Sequence, residues 1–126
     1  MITSQQKSYT LWQIAERVVW GETIEAEEGD LSFLALINAL RAQLELGRKI
    51  ASLEAAGVPE ERWSEFLPRI WPKILEKRRS QVKKLGARYF ERGMELLLDL
   101  EELSRQGSSQ DRALLDRFRI ALRIPK

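Results

Sequence analysis

The sequence predicts an all-α fold: a helical bundle of four main helices plus a short connector helix, in a single domain over residues 1–126. Three observations carry this expectation. No segment alternates apolar and polar residues with period two, so strand signals are missing. Four stretches repeat apolar residues at the three- and four-residue spacing of a helix face. A length of 126 residues with 44% hydrophobic content suits one core.

The first helix is expected over about residues 4–20. Leu11, Trp12, Ala15, Val18 and Val19 form one apolar stripe, and Gly21 comes next as a natural stop. The acidic stretch after it, Glu22 to Gly29, reads as a solvated loop. The second helix is expected over residues 30–56, with Asp30 as N-cap and Gly57 ending it. Phe33, Leu36, Ile37, Leu40, Leu44 and Ala51 make one face, and Leu46, Ile50 and Leu53 make another. A helix apolar on two sides belongs at the centre of a bundle.

A short connector helix fits residues 59–67, opened by Pro59. Pro68 and Pro72 punctuate the next stretch of chain. Residues 72–106 then read as one long helix of about 35 residues. Val82, Tyr89, Leu96 and Leu103 recur every seven residues on its apolar arc, a coiled-coil-like seam that also holds Gly86 and Gly93. Each glycine costs about 1 kcal/mol against alanine inside a helix, so close approach by a second helix is the expected reason for it. Gly107, Ser108 and Ser109 break the chain, and the last helix is expected over residues 110–123. Its inner face is Leu114, Leu115, Phe118, Ala121 and Leu122.

The long helix has its charges in the unfavourable order. Lys73, Lys77, Arg78, Arg79, Lys83, Lys84, Arg88 and Arg92 come first, and Glu95, Asp99, Glu101 and Glu102 come last. Cations at a helix N-terminus and acids at its C-terminus each oppose the macrodipole by roughly 0.3–1 kcal/mol. Something outside this helix is therefore expected to compensate. One candidate is an anionic partner for the basic residues Lys73, Lys77, Arg78, Arg79, Lys83, Lys84 and Arg88, joined by Arg112, Arg119 and Arg123 of the last helix. The other is a second copy running antiparallel, so that those bases meet Glu91, Glu95, Asp99 and Glu102. The plain alternative is a solvated face whose exposed pairs contribute about 0–1 kcal/mol each. Arg78 points toward the apolar arc and is expected to be partly buried or to reach across a groove.

Several function classes lose their residues. There is no cysteine and no histidine, which removes disulfides, thiolate metal sites and the commonest general base and metal ligand. Glu22, Glu25 and Glu28 are spaced by three, and Glu91, Glu95 and Asp99 by four, but they sit on polar faces without a histidine. No catalytic residue, metal or cofactor is expected, and no enzyme activity. Net charge is only +2, so it is the local patches that steer partners. No apolar run is long enough to span a membrane, and the polar first nine residues lack a signal core, which makes a cytoplasmic location the default. Trp20 and Trp71, at helix ends, are the aromatic residues best placed for an interface.

In size, helicity, basic faces and the lack of a catalytic set, the chain resembles the small helical subunits of CRISPR effector complexes. The resemblance is architectural. It implies a non-catalytic subunit of a larger assembly that contacts nucleic-acid backbone, independent of sequence and without cutting it. The same faces suit an acidic protein surface. A homodimeric adaptor that self-pairs through the long helix, with no nucleic acid, is the alternative.

Overall fold

The computed structural model describes residues 10–22, 32–107 and 111–123. The expected helical turns over residues 4–9, the Asp30 cap, Glu25, Glu28 and the Gln110 start lie outside these residues. Among the described residues the protein is all-α, with five α-helices, one 3-10 helix and no strand.

Local chemistry sets most boundaries. The first helix, α1 (Leu11–Trp20), opens with a capping box. The Gln13 N–H donates to Thr10 Oγ1 at 3.2 Å, and the Thr10 N–H donates to Gln13 Oε1 at 2.8 Å. This pair satisfies two of the donors that a helix start leaves without partners. At the other end, Gly21 takes φ 81°, the left-handed cap that glycine adopts at no steric cost. The second helix, α2 (Phe33–Ala55), is capped by Ser32, whose Oγ accepts from the Ala35 N–H. Ser32, two residues after Asp30, thus supplies the cap. The connector is a tight 3-10 helix (Glu60–Glu65), shorter than the stretch expected from the sequence.

The expected 35-residue helix does not exist as one rod. It is broken at Gly86 into α3 (Pro72–Leu85) and α4 (Ala87–Gln106), and the longest helix is α2, at 23 residues. Gly86 has φ 89° and ψ 156°, a conformation that a residue with a Cβ rarely takes. The last helix is α5 (Asp111–Arg123).

One hydrophobic core draws on all six elements. Helix α2 is central, in contact with α1, α3 and α4, while α4 lies between α2 and α5. The closest approach is between α2 and α4. A Cβ added at Gly47 would lie 2.1 Å from the Phe90 ring, and one at Gly93 would lie 2.6 Å from Leu44 Cδ2. Gly93 therefore bears out the expected close helix approach. Gly86 does not, since a Cβ there would meet nothing within 4 Å. The buried face of α4 is Phe90, Gly93, Leu97 and Leu100. Tyr89, Leu96 and Leu103 of the heptad seam are only half-buried. In α5 the inner face is as the spacing predicts, with Leu114, Leu115, Phe118 and Leu122 buried.

Two aromatic assignments are corrected. Trp12 is 56% exposed, because it lies at the edge of the α1 arc in its first turn, and Ile14 is buried instead. Trp20 is 4% exposed and is core, not interface. Its ring meets Phe90 at 5.3 Å, and its indole N–H donates to Gln43 Oε1 at 2.8 Å. No helix among the described residues is long and apolar enough to cross a membrane.

Candidate anion-binding surface

The bases of the chain divide by what they touch. Arg78 is 4% exposed, buried between α3 and the end of α1. Its guanidinium lies 2.9 Å from Glu16 Oε2, 3.6 Å from Glu22 Oε2 and 4.6 Å above the Trp20 ring. It also donates to Gln81 Oε1 at 2.9 Å. A buried cation is tolerated only when its charge and donors are matched, and here they are. Lys77 Nζ sits 2.9 Å from the same Glu22 oxygen. Burial pushes the Glu22 carboxyl up, but Lys77, then Arg78 and Arg17, outweigh it and hold the group below its ordinary value.

Arg79 faces the other way. It stacks on Trp63, with its guanidinium carbon 4.4 Å from the ring centroid, and pairs with Glu54 of α2 at 3.2 Å and with Glu60 of the 3-10 helix. The Trp63 indole N–H donates to the Val58 carbonyl at 2.8 Å, so ring and cation lock the connector together. Arg123 is structural too. Its Nη2 donates to the Val18 carbonyl at 2.9 Å, and the Tyr89 hydroxyl donates to the Val19 carbonyl. These two side chains satisfy carbonyls that the last turn of α1 leaves open. Burial raises the Tyr89 pKa, and the neighbouring Arg123 opposes that rise.

The compensation that the charge order demanded therefore comes largely from within. Glu16, Glu22, Glu54 and Glu60 answer Lys77, Arg78 and Arg79. The break at Gly86 does the rest for α3, because it places Lys83 and Lys84 in the last turn of a helix, where cations are favoured. In α4 the unfavourable order persists, with no acid in its first turn and Arg88 there instead.

What remains is a smaller set than the sequence offered. Lys73, Lys83, Lys84 and Arg88 are exposed and make no ion pair among the described residues. Lys73, Lys77 and Lys84 lie within about 40° on one side of α3 and span about 16 Å along it. Glu76 is the one acid of α3 and is also exposed. The α5 bases do not join this row as free groups. Arg119 is 3.8 Å from Asp116, and Arg112 has an interaction of its own.

The self-pairing acids Glu91, Glu95, Asp99 and Glu102 are all exposed along α4. They no longer continue the basic row on one straight rod, since Gly86 separates the helices that carry them. The bases and acids proposed to self-pair therefore lie on two helices that meet at Gly86, not on one 35-residue helix.

The described residues also line grooves. One, between α4 and α5, is about 130 Å³ and is lined by Leu96, Leu103 and Phe118 with Asp99 and Arg117 at its rim. Another, about 450 Å³, runs along α2 beside Phe66 and carries Glu45, Arg48, Lys49 and Glu65. Among the described residues no three acidic side chains converge on a point that would hold a metal ion.

Sequence reasoning missed the structural employment of Arg79 and Arg123, because their partners lie 25 and 105 residues away. For Arg78 the signal was present, in its place on the apolar arc. Comparison of the chain with protein-family models, curated proteins and solved structures finds no match.

Proposed function

We propose that the protein is a non-catalytic helical subunit of a larger assembly, and that it holds a nucleic-acid backbone along the exposed basic side of α3. The observation that supports this reading is the division of labour among the bases. Arg78, Arg79 and Arg123 are engaged in the fold, whereas Lys73, Lys83, Lys84 and Arg88 have no acid to answer them among the described residues. Lys77, paired with Glu22 yet 55% exposed, lies with Lys73 and Lys84 on one side of α3, and Lys83 lies about 100° round the helix from Lys84. Lysines are strongly hydrated point charges on flexible stems, suited to phosphate contact without bidentate geometry or base readout. An acidic protein surface offers the same charge and is the competing outcome of the test.

The test is binding to labelled RNA and DNA titrated against salt. Each phosphate contact releases counterions, so log affinity falls linearly with log salt. Replacing Lys73, Lys83 and Lys84 by glutamine is expected to flatten that slope by about two to three contacts' worth. An unchanged slope would remove α3 as the binding face. No binding to any nucleic acid at low salt would leave an acidic protein as the partner of this row.

A further inference from the structure

One side chain at the start of α3, the helix that carries the lysines, is explained neither by charge nor by packing. Trp71 is 80% exposed, the most exposed large apolar side chain among the described residues. Trp20 and Trp63 are buried, each with an indole hydrogen bond and a stacked arginine. The Trp71 indole has neither a ring contact nor a hydrogen bond among the described residues. Its position is fixed by its neighbour. Pro72 opens α3, and a residue before proline is held out of the helical region. Trp71 accordingly takes φ −59° and ψ 138° as the cap residue of α3. Ile74, one turn in, is 41% exposed. The stretch from Phe66 to Leu75 contains Arg69 and Lys73 and no acid.

We propose that Trp71 is a stacking platform for an unpaired base, and that the polymer held by α3 is single-stranded nucleic acid. This inference rests on the reading of the lysine row as a phosphate contact, and narrows it. The core of a protein interface is depleted of charge, whereas Trp71 stands in the chain between Arg69 and Lys73, at the N-terminus of the helix that carries the lysines. An aromatic face interleaved with cations is what a single strand requires: a ring for the base and ammonium groups for the phosphates. In a duplex the bases are stacked on one another, and the ring has nothing to receive.

The experiment uses the full chain and three labelled probes of equal length: a single strand, the same sequence as a duplex, and an abasic single strand that keeps the phosphates. Trp71→Ala is expected to weaken binding to the intact strand roughly 5- to 150-fold, with the duplex and the abasic strand unchanged. Its salt slope stays at the wild-type value, because no phosphate contact is lost. Trp71→Phe restores part of the affinity. Thermal melts of both variants match wild type, since the ring is exposed. Equal losses on intact and abasic strands, or no loss at all, overturn stacking while leaving the lysine row standing, provided that Lys73→Gln with Lys84→Gln still flattens the slope. Failure of wild type to bind any of the three probes overturns both readings.

Discussion

Helices α3 and α4 are one segment to the eye of the sequence, yet they are held to the protein by different forces. Helix α4 is held by shape. Phe90 packs where Gly47 leaves room, and Leu44 packs where Gly93 does, so the two backbones come close and the contact is dry. An ion pair, Arg41 with Glu101 at 2.8 Å, sits at its margin. Helix α3 adds charge to a thinner apolar contact. It buries Val82 and Arg78, with Leu75 and Leu85 half-buried against the core. Its attachment runs through Arg78 to α1 and through Arg79 to α2 and the connector. Close packing resists salt and pH; ion pairs respond to both. The helix that carries the unpaired lysines is thus also the one whose seating the surroundings can alter.

Changes at the α2–α4 contact should have the largest effects. Phe90→Ala is expected to cost about 3–5 kcal/mol, as for other large-to-small changes at a fully buried site. Gly47→Ala should cost about 1–3 kcal/mol by overpacking against the ring. In the Phe90→Ala background the same change should cost little, because the atom it strikes has gone. A double-mutant cycle by urea unfolding reads the coupling, and additive losses would contradict the packing account.

Arg78→Ala comes next, at about 2 kcal/mol. That is below the 3–5 kcal/mol of a fully dry pair, because Glu16 and Glu22 are partly exposed. Hydrogen exchange should show the lost protection in α3 and the end of α1, with α4 spared. Gly86→Ala should cost about 1–3 kcal/mol, because alanine is strained at φ 89° although a Cβ there meets no neighbour. A neutral outcome in thermal melts would mean that the bend does not need glycine.

Glu22→Gln should have the smallest effect, and a pH-dependent one. The Glu22 carboxyl is held below its ordinary value in the folded chain. Its contribution is therefore fully present above the unfolded carboxylate's pKa of about 4 and is lost as pH falls through the folded value. Wild type and variant should differ in urea midpoint at neutral pH and converge in acid. A constant difference across the range would break the link to ionisation.

The same comparison shows what the chain discloses in one dimension. The α5 face and the Gly93 approach could be read from spacing alone, because helix periodicity and the cost of glycine are local facts. Gly86 and Gly93 fall seven residues apart on one arc, and nothing nearby tells them apart. What separates them is α2, which lies against Gly93 and leaves Gly86 free to bend. The bases and acids are segregated along the chain as read, but the break at Gly86 puts Lys83 and Lys84 at a helix end that favours cations, and other bases are answered from elsewhere in the fold. That compensation lies in Glu16, Glu22, Glu54 and Glu60, whose distance in sequence hides the pairing. Trp20 reads as an interface residue because it ends a helix; the cation and the Phe90 ring that bury it belong to α3 and α4.

Arg78 and Arg79 are engaged in the fold, and we propose that Lys73, Lys83 and Lys84 are kept for a partner. Thermal melting of wild type and of the Lys73→Gln, Lys83→Gln, Lys84→Gln variant, each with and without a single-stranded oligonucleotide, tests it most directly. A ligand that binds only the folded chain raises its stability by RT ln(1 + [L]/Kd). The two proteins are expected to melt within about 1 kcal/mol of each other when alone, since Lys83 and Lys84 each gain about 0.3–1 kcal/mol at the end of α3 while Lys73 stands at its disfavoured start, and the oligonucleotide is expected to shift the wild type more than the variant. A variant that melts lower by several kcal/mol, or that keeps the full shift, would contradict this.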